Sequence, residues 1–103
     1  MKFTKKQAEK LNSEIREILA DFEQNADGKI ITDYGPLYVH PSNDAGSEVA
    51  TVFCRFEDVE KAREIPCPIK PNPYTGKWNF HVWAHEAEFL PGMVETQLRK
   101  LVG

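Results

Sequence analysis

At 103 residues, with 41% apolar and 28% charged side chains, the chain has the size and composition of one compact domain over 1–103, which excludes an intrinsically disordered chain. Its formal net charge of −3 argues against a dominant phosphate-binding surface but leaves room for a local basic patch. No apolar run approaches the roughly 20 residues of a membrane helix. The basic start Lys2-Phe3-Thr4-Lys5-Lys6 lacks the apolar segment of a signal peptide, so a cytoplasmic protein without membrane contact is expected.

Thr4 and Gln7 have the spacing of a capping box. Ala8, Leu11, Ile15, Ile18 and Phe22 then recur at alternating three and four, with Leu19 widening the stripe. The pattern predicts an amphipathic helix with one buried face, ending near Asn25-Ala26-Asp27-Gly28. Lys29 to Thr32 and Leu37 to His40 are short β-prone runs broken by Asp33-Tyr34-Gly35-Pro36, the signature of a hairpin. After a polar loop over 41–47 comes the strongest strand, Glu48 to Phe56. Its apolar groups on both sides predict a central strand buried on both faces, at least at one end.

Asp58 suits the N-cap of a short helix reaching about Ile65, with Val59, Ala62 and Ile65 inward. Pro66, Pro68, Pro71 and Pro73 then fix φ and remove amide donors, which predicts a stiff extended arm. The turn Pro73-Tyr74-Thr75-Gly76 leads into a strictly alternating run. Trp78, Phe80, Val82 and Ala84 point one way, while Asn79, His81, Trp83 and His85 point the other. Leu90-Pro91-Gly92-Met93 interrupts the chain before a last helix carrying Val94, Leu98 and Leu101 inward. The order predicts an α+β fold: an antiparallel sheet of about four strands, terminal helices packed on it and a short helix between strands.

Chemistry is sparsely signalled. His81, His85 and Glu86 lie close in sequence, but on a strand residues 81 and 85 stand about 13 Å apart, too far to share a metal. Cys54 sits in an apolar strand and Cys67 between prolines, and neither has the setting of a nucleophile. Thr75-Gly76-Lys77 lacks the glycine-rich lead-in of a phosphate loop. A non-enzyme without cofactor or metal is therefore expected.

The aromatic-rich turn and strand form the candidate surface: Tyr74, Lys77, Asn79, His81, Trp83 and His85. Trp, Tyr and Arg dominate interface energies, and a proline-stiffened arm presents Tyr74 at low entropic cost. The leading expectation is a non-catalytic module binding a larger protein, an inhibitor or regulator of the kind phages and mobile elements carry. The alternative is a single-stranded nucleic-acid binder using the same rings. A further one is a small-ligand pocket lined by Tyr74 and Trp78. A homodimer through an uncovered edge or stripe stays open.

Overall fold

A computed structural model describes residues 2–66 and 70–102. The elements run α1 (Lys5–Leu19), β1 (Ile30–Thr32), β2 (Gly35–Pro41), β3 (Val49–Phe56), α2 (Val59–Ala62), β4 (Phe80–Trp83), a 3₁₀ helix (Ala84–Phe89) and α3 (Leu90–Leu101). The four strands form one antiparallel sheet in the order β1-β2-β3-β4. This is the α+β architecture that the sequence predicts. Among the described residues no helix is long and apolar enough to cross a membrane.

Each element follows from local chemistry. The Thr4 hydroxyl accepts from the Gln7 amide and the Gln7 side chain accepts from the Thr4 amide, a complete capping box that starts α1. The helix ends at Leu19, well before Asn25. The Gln24 side-chain amide caps the Leu19 carbonyl at 2.8 Å, and the chain leaves in tighter turns that still bury Phe22. In the hairpin Thr32 pairs with Gly35, so only Asp33 and Tyr34 form the turn. Neither Asp33 nor Tyr34 has positive φ; Gly35, at φ 92°, is the left-handed residue that follows such a turn and returns the chain to the ladder. α3 begins at Leu90, with Pro91 in its first turn where no amide donor is required. The expected break at 90–93 is thus a helix start. Asp58 caps α2 through the Lys61 amide.

One layer of helices covers one face of the sheet. Ile15 from α1, Leu90, Val94 and Leu98 from α3, and Leu37, Val52 and Phe56 from the strands are almost completely buried together. Trp78 packs between Phe56 and Phe80, with ring centroids 5.9 and 5.0 Å away. β3 is central, as its composition predicts, but it is buried on one face only. Ala50, Val52, Cys54 and Phe56 point into the core, while Phe53 remains 43% exposed on the other side. The apolar side of β3 that does not meet the core meets solvent.

A buried amide anchors the loop after β2, beside backbone bonds from Ser42 to Thr51 and between Phe3 and residues 46–47. Asn43 accepts from the Thr51 amide at 2.8 Å, donates to the Thr51 carbonyl and the Asn12 side chain, and is only 5% exposed. Truncation would strand several of these partners. Asn43→Ala is expected to lower stability by about 2 kcal/mol in denaturant unfolding.

Candidate functional site

The uncovered face of the sheet is built from three strands by the two-residue side-chain period. Outward on β2 are Tyr38 and His40; on β3, Val49, Thr51, Phe53 and Arg55; on the β4 segment, Lys77, Asn79, His81 and Trp83. Their register is fixed by the ladder. Tyr38 lies opposite Arg55 and His40 opposite Phe53, while Thr51 lies opposite His81 and Val49 opposite Trp83.

This register draws a line of rings obliquely across the sheet. Tyr38 is the diagonal neighbour of Phe53, Phe53 that of His81, and Trp83 follows His81 on the same face of β4. Each step is about 7–8 Å. Tyr38, Phe53 and Trp83 are 43%, 43% and 56% exposed. The His40 ring stacks beside Tyr38 with centroids 6.2 Å apart, and His81 Nδ1 lies 3.4 Å from the Thr51 hydroxyl.

Charge on this face is concentrated at one rung of the β3–β4 ladder. Within the four strands and residues 77–79 the charged side chains are Arg55 and Lys77, which pair across the β3–β4 ladder. The Phe56 amide donates to Gly76 and the Trp78 amide to Cys54, so Arg55 and Lys77 occupy a non-hydrogen-bonded position, where Cα atoms stand only about 4.5 Å apart. Neither forms a salt bridge among the described residues. Carboxylates approach only at the margins. Glu57 at one end is engaged by Lys29, and Glu86 lines the depression beside Trp83.

Asn79 is bonded into the sheet through its side chain. Its Oδ1 accepts from the Cys54 amide at 3.2 Å, in place of a strand carbonyl, leaving Nδ2 at the surface. Cys54 itself faces the core, and burial pushes its thiol from 9.0 up to about 12. The folded state therefore holds this proton more tightly than the unfolded one. Its contribution to stability is full below about pH 9 and is lost as pH rises toward 12. A buried neutral thiol is no nucleophile at neutral pH.

Four of the six expected site residues come together here: Lys77, Asn79, His81 and Trp83. His85 does not. β4 ends at Trp83, and the following 3₁₀ helix turns the chain before the alternation reaches residue 85. His85 lines a groove against α1 with Phe3, Gln7, Lys10 and Glu14, and its Nε2 is 3.7 Å from Glu86. Tyr74 stands apart on the preceding turn, 84% exposed. That turn is rigid: Asn72 Oδ1 accepts from the Tyr74 and Thr75 amides, and Arg63 donates twice to the Pro73 carbonyl. Trp78, expected with Tyr74 in a ligand pocket, is buried at 7% exposure. Cys67 and part of the proline arm lie outside the described residues.

Tyr38, His40, Phe53 and Arg55 share this face and were not grouped with it by the sequence reading. The signal was present in the alternation of β2 and β3, but Phe53 amid Val52 and Cys54 suggests burial on both sides. Among the described residues no three His, Cys, Asp or Glu side chains are grouped to hold a metal ion. No family model, curated protein or solved structure matches the chain.

Proposed function

We propose that the open sheet face is a binding surface for single-stranded nucleic acid. The observation that carries this reading is the oblique line Tyr38–Phe53–His81–Trp83 on a face whose strand charges are both positive. Successive bases of an unpaired strand stack on such rings, at about one nucleotide per ring, and every base offers a π-face. The net charge of −3 gives no long-range attraction, but a cation pair on an acidic protein favours contact at that pair. The local placement of charge, rather than total charge, thus ranks nucleic acid above the larger-protein partner that the aromatic turn and strand suggest in the sequence.

The protein-binding module remains the second reading, and it has its own observation. The rigid turn projects Tyr74 into solvent, while Phe89 and Met93, one helical turn apart, are 61% and 39% exposed. Aromatic and methionine side chains of this kind suit a protein interface.

Fluorescence titration of single-stranded oligonucleotides separates the two. The single substitutions Trp83→Ala and Phe53→Ala are each expected to weaken binding about 5- to 150-fold, since a stacked base contributes about 1–3 kcal/mol. Tyr74→Ala should leave affinity unchanged. Failure of any oligonucleotide to bind at low salt, with capture of a nuclease-resistant protein partner lost in Tyr74→Ala, would install the second reading.

A further inference from the structure

Resting on that reading, we propose that the Arg55–Lys77 pair is a phosphate seat, and that the depression beside it holds one defined nucleotide of the bound strand. The depression, about 220 Å³, is lined by Tyr38, Phe53, Arg55, Lys77 and Asn79. It is smaller than the cavities that enclose drug-sized ligands, as suits a single planar base with its sugar open to solvent.

Three observations converge on this site. Like charges directly opposite each other on a sheet are destabilising, and at a non-hydrogen-bonded position their side chains are at their closest. Arg55 and Lys77 accept that cost with no carboxylate partner among the described residues. An anion between them reverses the sign of the interaction. Next, Tyr38 flanks Arg55 on its other side and Phe53 lies on the diagonal, so an aromatic surface adjoins the cations. Finally, the sheet already uses Asn79 Oδ1, which fixes the amide with Nδ2 outward as a donor. Cation pair, ring and outward amide donor are the parts that recognise a phosphate, a base face and a base-edge or sugar oxygen. A carboxylate peptide would satisfy the cations but leave the rings without a planar partner.

The test is the salt dependence of oligothymidylate binding, measured for chains of about 4 to 16 nucleotides, the site sizes typical of single-strand surfaces. Lys77→Ala and Arg55→Ala should each lower the slope of log K against log salt by about 0.7, the value per phosphate contact on a single strand. Trp83→Ala should weaken binding with the slope intact. If oligothymidylate binds but the slope is unaltered in both cation variants, the phosphate seat is wrong while the nucleic-acid reading stands. If no oligothymidylate binds at low salt, that reading itself fails and the seat with it. Equal competition by oligoglutamate, which bears no bases, would overturn the nucleotide assignment in favour of a carboxylate partner.

A second measurement keeps binding separate from folding. Lys77→Glu places a carboxylate opposite Arg55 and should raise Tm by roughly 1–5 °C while abolishing oligothymidylate binding. A fall in Tm would show that the lysine supports the fold and would overturn the claim of an uncompensated pair.

Discussion

Gly76→Ala is expected to destabilise the protein by about 3 kcal/mol, read as a lower denaturant midpoint with an unchanged slope. Two effects add. Gly76 has φ 72°, a left-handed conformation that costs a residue with a Cβ about 1–2 kcal/mol. An added Cβ would also lie 2.6 Å from the Phe56 carbonyl oxygen, which is backbone and cannot swing aside. Gly46→Ala separates the terms, because Gly46 has φ 86° but nothing within 4 Å of the new atom. It should cost about 1 kcal/mol. The contact matters beyond stability. The Gly76 carbonyl accepts from the Phe56 amide at 2.9 Å, and this bond sets Lys77 opposite Arg55. A displaced Gly76 should therefore weaken oligonucleotide binding as well.

The second large effect contrasts two phenylalanines three residues apart on β3. Phe56→Ala removes a ring that is 1% exposed and packs on Trp78, and should cost about 3–5 kcal/mol. Phe53→Ala removes a ring that is 43% exposed and should cost less than about 1 kcal/mol. For binding the order reverses, provided that unfolding is corrected for. Paired denaturant and titration curves check both outcomes. Equal stability losses would mean that the open face is packed, not free.

The fold was legible because its signals are local and redundant. The capping box at Thr4 and Gln7, the stripe through Ala8, Leu11 and Ile15, and the alternation from Trp78 to Val82 each specify an element and its inward side. The ends of elements were harder to read. α1 stops at Leu19 because the Gln24 side chain captures a carbonyl, an interaction that no periodicity encodes. The site was half legible for a related reason. Lys77, Asn79, His81 and Trp83 belong to one strand and could be grouped by period alone. Joining them to Tyr38, Phe53 and Arg55 required the register of three strands, and register depends on pairing across long sequence separations. His85 misled because alternation was extended past the point where the strand becomes a 3₁₀ helix.

The two-residue period of β3 separates two kinds of selection. Ala50, Val52, Cys54 and Phe56 answer to folding, while Thr51, Phe53 and Arg55 face outward and, on the proposed reading, answer to what binds the sheet. Substitutions at the second set can accumulate with little loss of the native state, so affinity and sequence preference can drift while the scaffold persists. Relatives of this chain should then share the inward letters of the strand and differ in the outward ones. A library varying only the outward positions should yield mostly folded proteins with altered binding.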